Sequence, residues 1–391
     1  MLRLLAGFLL CLGAIRAETA LTLPFFNHSG SPALSWIGES IAEAVHDALA
    51  SEGLLALDRE DRLEAYRRLS LRPGAELTLA SVIKLGDELD AARVIYGSFE
   101  VLPGPDPADP AKSSVRITAR IVDLKRLTQG DAFSEVGAME DLALLEERLA
   151  WRAVRSLDPT AAPSEEDFIK DRPPVRLDAL ENYIRGLLSN SADQRRHFFA
   201  QAARLADHYS QPCFRLGKMY WEQKDYPGAA GWLDRVTRSD PHYLEARYFL
   251  GLCRFRAGDF AAAEAAFQEV ASALPLNEVF NNLGAAQSQR GEFEASLASY
   301  RKALDGDDAD PDYHFNIGYD LLRSGQFAAA ADSFRAAAAR NPEDAEATTF
   351  LGMALKESGP KPGDARTQSR QRLKTNYDEA AYRQLQAELK K

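Results

Sequence analysis

The sequence contains little cysteine, no excess of basic charge and, after its N-terminal segment, no long apolar run. Only three cysteines occur in 391 residues, which excludes a small scaffold held together by disulfides. The formal net charge is −11, which argues against a nucleic-acid partner because phosphate contacts need a basic surface. No later stretch has the roughly 20 apolar residues that a transmembrane helix needs.

Motifs that carry chemistry are also missing. The six histidines do not pair with other ligands at the spacings of metal sites, and the CxxC and HExxH patterns are absent. The GxxxxGKS/T phosphate loop, the GxGxxG turn and the GxSxG elbow are absent as well. The acidic run at residues 58–61 is typical of a helix start. We therefore predict a non-enzyme without cofactor, catalytic or metal-binding residues; a hydrolase with an unrecognised site is the alternative.

Residues 1–17 have the pattern of a signal peptide. Arg3 supplies a positive charge, residues 4–14 form a short apolar core, and Ala17 is a small residue at a plausible cleavage point. This pattern predicts a periplasmic or secreted protein. In an oxidising compartment Cys213 and Cys253 could pair, but we favour the interpretation that both are small buried residues in helices.

From about residue 176 the chain repeats itself with one constant period. A glycine recurs at intervals of 31, 34, 33, 34 and 34, at Gly186, Gly217, Gly251, Gly284, Gly318 and Gly352. A large apolar side chain recurs at intervals of 34, 34, 33 and 34, at Phe199, Leu233, Phe267, Tyr300 and Phe334. Two independent series with one period indicate a stack of similar units.

The pattern inside one unit, residues 244–276, predicts a pair of helices. Gly251 lies in the middle of the first helix, where it allows a neighbouring helix to approach closely. Gly258 is suited to the positive φ of a helix end. The second helix carries an apolar stripe that includes Phe267, and Pro275 ends it.

These units resemble the tetratricopeptide repeat (TPR) family. They share its Leu–Gly pair, its closing proline, and its alanine at Ala229, Ala263 and Ala330, which is followed four positions later by an aromatic residue in the second and third cases and by Leu233 in the first. The resemblance covers four full units over residues 210–344, with a degenerate unit before them (176–209) and a partial one after them (345–358). The third unit departs from the family pattern, with Ser296 in place of alanine and Asp308 in place of proline.

The resemblance implies a superhelical solenoid whose first helices line a concave groove. Stacking buries the apolar face that a single helix pair cannot cover. By the family's register the groove receives Phe214, Lys218, Trp221, Tyr248, Phe255, Arg256, Asn281, Gln289, Phe315, Tyr319 and Arg323. Large aromatics with a few cations suit an extended or helical peptide of a partner protein. The alternative for each aromatic is packing between repeats.

After Gly352 the repeat pattern ends. Residues 359–363 (GPKPG) have the composition of a linker. Residues 377–390 have the spacing of one amphipathic helix, with Ala381, Leu385 and Leu389 on one face. Such a helix either caps the solenoid or binds a partner.

The N-terminal half shows no repeat. Its alternation and helical spacing predict the element order βαβααβββα, which indicates an α+β domain with one mixed sheet against helices. Residues 23–29 (LPFFNHS), 37–41 (IGESI), 94–98 (VIYGS) and 116–123 (RITARIVD) resemble the TolB amino-terminal-domain group, which includes FlgO-like and CsgG-like envelope proteins. The resemblance implies a bacterial envelope protein whose domain makes protein contacts.

The predicted organisation has six parts. These are a signal peptide (1–17), the α+β domain (18–158), a linker (159–175), the TPR array of about five repeats plus a partial one (176–358), a second linker (359–375) and a C-terminal helix (376–391). We predict an exported envelope scaffold that binds protein through its groove and its α+β domain. The alternative is a small-ligand or glycan-binding protein that uses the N-terminal domain. The oligomeric state stays open.

Overall fold

The protein consists of an N-terminal α+β domain followed by stacked helix pairs. The computed structural model describes residues 19–102, 104, 113–160, 162–361, 363–364, 366–368, 370–382 and 385. The predicted signal peptide lies outside these residues. Within them, the predicted fold class, a mixed sheet with helices followed by a helical solenoid, is confirmed.

A mixed sheet forms the centre of the N-terminal domain. Its strands are β1 (Thr19–Thr22), β2 (Phe26–Asn27), β3 (Leu55–Ala56), β4 (Arg93–Leu102), β5 (Ser114–Asp123), β6 (Thr128–Gln129) and β7 (Phe133–Ala138). Their order is β3-β1-β4-β5-β6, while β2 also pairs with β4 and β7 with β5. Strand β1 runs parallel to β3 and β4, whereas β5 is antiparallel to β4.

Helices cover both faces of this sheet. They are α1 (Trp36–Ser51), α2 (Arg59–Arg68), α3 (Leu79–Glu88) and α4 (Leu142–Leu157), and a short helix α5 (Glu165–Asp171) follows. Neighbouring side chains of a strand point to opposite faces. Accordingly Ile95 of β4 joins the apolar cluster of α1 and α4, while Val94 joins that of α2 and α3.

The second half is built from consecutive helix pairs. They are α6 (Leu177–Leu188) with α7 (Ala192–Leu205), α8 (Ser210–Glu222) with α9 (Tyr226–Leu233), α10 (Tyr243–Arg256) with α11 (Phe260–Ala273), α12 (Asn277–Gln289) with α13 (Phe293–Gly306), and α14 (Pro311–Arg323) with α15 (Phe327–Arg340). Helix α16 (Ala345–Leu355) starts another unit. Each second helix packs against its own first helix and against the first helix of the next unit.

The recurring glycines set the distance between the two helices of a pair, as the sequence predicts. A Cβ atom placed on Gly251 would lie 2.7 Å from the ring of Phe267, which is closer than packed atoms approach. The equivalent glycine of α16, Gly352, has no neighbouring atom within 4 Å of such a Cβ. The predicted turn glycine Gly258 has a φ of 79°, which favours glycine.

The segment between the two halves, residues 159–175, is a linker by composition, but it contains α5 and packs against the fold. Phe168 of α5 is 1% exposed, and Arg172 donates a 2.6 Å hydrogen bond to Glu52. One apolar cluster continues from the sheet through α1 and α4 into α6 and α7. The two halves therefore share a core, because the proline-rich segment also carries apolar side chains that can be buried.

Among the described residues, no helix combines the length and the apolar character needed to span a bilayer. Cys213 and Cys253 are both free thiols in this part of the chain, and both are buried. This outcome agrees with the interpretation that they fill space inside helices.

Two glycine substitutions at the same repeat position test the packing of the helix pairs. We expect Gly251→Ala to lower the free energy of unfolding by about 1–3 kcal/mol, because the new methyl group overlaps the ring of Phe267. The matched control is Gly352→Ala, which meets open space and should leave stability unchanged or raise it by up to about 1 kcal/mol. Urea unfolding followed by circular dichroism measures both; equal effects would contradict the packing argument.

Candidate functional site

The first helices of the pairs form a groove that is occupied by the chain's own C-terminal residues. We call residues 370–382 the tail segment. It crosses α14, then α12, then α10, so it runs in the opposite direction to the order of the repeats. Just before it, the carbonyl of Thr367 accepts a 2.9 Å hydrogen bond from Tyr319. The linker composition predicted for residues 359–375 did not indicate this path.

Buried asparagines hold the backbone of the tail segment. Asn316 donates to the carbonyl of Arg372 and accepts from its amide N–H, both at 2.8 Å. Asn282 makes the same two bonds with Lys374, also at 2.8 Å. Asn281 adds a third donor at 2.8 Å to the carbonyl of Arg372. A side-chain amide can satisfy the backbone N–H and C=O of one residue, much as a neighbouring strand does.

Tyrosines extend this backbone recognition towards α10. The hydroxyl of Tyr248 donates to the carbonyl of Lys374 at 2.6 Å and also approaches that of Asn376 at 3.3 Å. The ring of Tyr377 meets the ring of Tyr248 edge-on, with centroids 5.1 Å apart, and lies 4.9 Å from that of Tyr382. Tyr382 is 8% exposed. The tail segment is therefore anchored by buried aromatic rings as well as by hydrogen bonds.

The Arg372 side chain lies in an acidic aromatic site. Its guanidinium stacks over Phe315 at 3.5 Å from the ring centroid. It forms a two-pronged contact with Asp344, at 2.6 and 3.0 Å, and a 3.0 Å bond to Glu346. Hydrogen bonding from Arg372 lowers the pKa of Asp344. Guanidinium and carboxylate match in this geometry, and such paired bonds are stronger than bonds between neutral groups.

The Lys374 side chain lies in a second acidic site, at the start of α14. Its ammonium contacts Asp310 at 2.6 Å and Asp312 at 2.7 Å. Burial opposes the charged form, but hydrogen bonds to these carboxylates hold the pKa of Lys374 above its usual value. Residues two apart in an extended chain point to the same side. Arg372 and Lys374 therefore reach neighbouring acidic sites of the same groove.

A buried polar cluster lies beneath Gln371 of the tail segment. The Gln371 amide donates to the hydroxyl of Ser288 at 2.6 Å, and the hydroxyls of Ser288 and Ser296 both donate to Asp320. Burial raises the pKa of Asp320 to about 6, although both hydroxyl bonds oppose the shift. Ser296 is the departure from the family's alanine noted above, and its hydroxyl satisfies this buried carboxylate.

The groove residues that the sequence predicts fall into two groups. Those that contact the tail segment or Thr367 are Tyr248, Asn281, Gln289, Phe315 and Tyr319. The other six lie on α8, α10 and α14: Phe214, Lys218, Trp221, Phe255, Arg256 and Arg323. Of these, Phe214 and Lys218 line a cavity together with Tyr377 and Tyr382 of the tail segment. Phe214 stacks on His242, and Trp221 packs against Phe249. These contacts agree with the alternative that such aromatic residues pack between repeats. Binding of a partner by any of these residues stays a prediction.

Asn282, Asn316 and the acidic residues of the groove were not predicted from the sequence. A signal for the asparagines existed, because Tyr248, Asn282 and Asn316 follow one another at the repeat period. Asp310 and Asp344 are likewise one repeat period apart and form the N-caps of α14 and α16. No such series predicts the path of the tail segment, which follows the last helix, α16.

Among the described residues, no group of three histidine, cysteine or carboxylate side chains is placed to hold a metal ion. The predicted C-terminal helix, residues 376–391, is described only in part: residues 379–382 and 385 are helical, and residues 383, 384 and 386–391 lie outside the described part.

Comparison with known proteins identifies the repeats. The family Tetratricopeptide repeat matches residues 214–278 and 315–381, together less than half of the chain. The unmatched residues 279–314 still form the helix pair α12 and α13. The helical half is thus a TPR solenoid. Among curated proteins, none matches this chain.

Solved structures resemble part of the chain. MamA (residues 41 to the end) from Desulfovibrio magneticus RS-1 is 22% identical, with a TM-score of 0.37 over 41% of this chain and 92% of MamA. YrrB, a TPR protein with an unusual peptide-binding site, is 18% identical, with a TM-score of 0.35 over 44% of this chain and 87% of YrrB.

Removal of the two buried amides tests how the tail segment is held. We expect Asn282→Ala with Asn316→Ala to weaken docking by about 2 kcal/mol or more, since each amide makes two backbone bonds. Chymotrypsin should then cleave after Leu373 or Tyr377 at least about 30-fold faster, in a chain whose helical circular dichroism is retained. The matched control is Asn341→Ala, an exposed asparagine at the end of α15. Unchanged cleavage in the double variant would contradict the assignment.

Proposed function

We propose that this chain is a non-catalytic scaffold that binds partner proteins as extended segments in the groove of its TPR solenoid. The observation that carries the proposal is the pair of reciprocal amide contacts from Asn282 and Asn316 to a peptide backbone. Such contacts recognise the main chain, which every protein offers. Flanking acidic and aromatic side chains then add selectivity.

The groove also combines buried amides with aromatic anchors, as peptide-binding sites do. Asn281, Asn282 and Asn316 are fully buried beneath the tail segment. A buried amide without a partner costs roughly 1–3 kcal/mol, so any segment that covers these three amides must supply peptide groups to them. The same face carries Tyr248 and Phe315, which are rigid aromatic anchors of the kind that dominates binding energy.

The N-terminal domain is the proposed second docking unit of the scaffold. Its resemblance to the TolB amino-terminal-domain group supports a role in protein contacts in a bacterial envelope. Its apolar core continues into α6 and α7, which supports a fixed distance between the two binding surfaces. A scaffold of this kind would hold one partner at the domain and another in the groove.

Export to the envelope follows from the pattern of residues 1–17 and is a separate part of the proposal. We expect the chain recovered from the envelope fraction of expressing bacteria to begin at Glu18, after cleavage beyond Ala17. N-terminal sequencing measures this directly. A chain that keeps Met1 and stays in the cytoplasmic fraction would remove the export proposal and leave the binding proposal intact.

Selection from a displayed library of random peptides, each about as long as the tail segment, tests the binding proposal. The bait is the full chain with Arg372→Glu and Lys374→Glu, which opposes the groove carboxylates with like charges and so opens the groove. We expect enriched peptides that bind this bait and lose at least 10-fold in affinity when Asn282→Ala and Asn316→Ala are added, as about 1.4 kcal/mol corresponds to that factor.

A folded bait that enriches no peptide above the starting library would overturn the proposed function. Circular dichroism of the bait, with and without the two added asparagine substitutions, shows whether the solenoid is retained. Enriched peptides that bind equally well with and without the added Asn282→Ala and Asn316→Ala substitutions would place the binding surface outside the groove.

A further inference from the structure

We infer that the groove selects extended partner segments of the pattern Arg-x-Lys-x-x-aromatic, and that the tail segment is a built-in competitor of that pattern. The inference rests on the proposed function and names the chemistry of the partner. The tail segment carries the pattern at Arg372, Lys374 and Tyr377. Its contacts therefore report which side chain each site of the groove accepts.

The register of an occupant is fixed by its backbone. Asn281 and Asn316 bind the peptide groups of Arg372, while Asn282 and Tyr248 bind those of Lys374. Adjacent repeats thus hold peptide residues two positions apart. Because the peptide backbone cannot slide by one residue without losing these bonds, selection falls on the side chains at the two held positions.

The first held position fits arginine. The flat guanidinium lies on the Phe315 ring and meets both oxygens of Asp344. A lysine could supply the charge but neither the stacking plane nor the two-pronged contact. The second held position lies between Asp310 and Asp312, whose carboxylates both contact the ammonium, and it suits the compact charge of lysine. Asp312 is shared between the two positions, because its Oδ1 also accepts a 3.2 Å bond from Arg372.

The carboxylates in these sites have a structural role as helix caps, but the caps use only part of them. Oδ1 of Asp310 accepts a 2.9 Å bond from the amide of Asp312, while its Oδ2 contacts Lys374. Oδ1 of Asp344 likewise caps Ala347 at 2.9 Å, while its Oδ2 contacts Arg372 at 2.6 Å. Each cap therefore presents a second oxygen to the groove. Without a cationic occupant, these carboxylates and Glu346 would repel one another.

The aromatic position follows three residues after the lysine. Tyr377 lies edge-on against Tyr248, whose hydroxyl is engaged by the peptide backbone. Tyr248 therefore orients the occupant twice, through its hydroxyl and through its ring. Any aromatic side chain of similar size can meet that ring, so we expect phenylalanine to replace tyrosine here.

The tail segment competes with a partner because it is tethered beside the groove. Only residues 356–369 separate it from the end of α16. A tether of this length keeps a ligand at an effective concentration on the order of millimolar. The apparent dissociation constant of a partner is then its intrinsic value divided by the fraction of grooves that are open. Partners that match the groove less well than the tail segment are excluded.

Fluorescence anisotropy with a labelled synthetic peptide, RQRLKTNYDEAAY (residues 370–382), tests this inference on three full-length chains. They are the unaltered chain, the open-groove variant Arg372→Glu/Lys374→Glu, and the matched control Lys361→Glu/Arg366→Glu, which makes the same charge change at two exposed residues. We expect the open-groove variant to bind the peptide at least 10-fold more tightly than the other two chains. A peptide with glutamate in place of Arg372 and Lys374 should lose at least 10-fold in affinity for the open-groove variant.

A charge-exchanged groove provides the second arm. In the chain with its tail segment unaltered, Asp312→Lys with Asp344→Lys opposes Arg372 and Lys374 with like charges and so opens the groove. This variant should bind the glutamate peptide and fail to bind the original peptide. Equal affinity of both peptides for the open-groove variant would overturn the proposed selectivity for arginine and lysine. The groove would then bind only the peptide backbone. Binding of neither peptide, while library peptides still bind, would overturn the inference and spare the proposed function.

Sedimentation of the unaltered chain shows whether the groove holds the tail segment of its own chain or that of a second copy. We expect a monomer at micromolar concentration, since the tail segment fills the groove of its own chain. A dimer that the peptide dissociates would identify the tail segment of a second copy as the occupant and overturn the role of an internal competitor.

Discussion

The groove depends on buried side-chain amides that need peptide groups as partners. Asn282 and Asn316 lie beneath the tail segment, and each exchanges two hydrogen bonds with one residue of it. In this chain the partner is the C-terminal segment itself. Both acidic sites depend on these amides as well, because the amides fix the register that brings Arg372 to Asp344 and Lys374 to Asp312.

The regular stacking of the repeats positions these amides. Glycine in each first helix lets the second helix lie close, so successive first helices present equivalent positions along one face. The periodic spacing of Tyr248, Asn282 and Asn316 becomes a row of contacts along an extended chain. The N-terminal domain adds support at one end, where its core merges with α6 and α7.

Periodic patterns in the sequence predict the fold, but they do not predict which segment occupies the groove. The glycine and aromatic series predict the helix pairs, and the alternation of residues 115–122 predicts one antiparallel strand, since helix and strand periods can be recognised within single elements. The tail segment pairs with residues far away in the sequence through side chains. The helical spacing of residues 377–390 predicts a helix at its end but not the path of residues 370–376 along the groove. Asn316 was missed because the register was followed through large aromatic residues such as Phe315, its immediate neighbour.

Hydrogen exchange at single-amide resolution in the unaltered chain tests the central claim most directly. The amides of Arg372 and Lys374 donate to Asn316 and Asn282, so they should exchange orders of magnitude more slowly than in a free peptide. Exchange of these two amides at the rate of an unstructured peptide, while the helices of the repeats stay protected, would contradict the account.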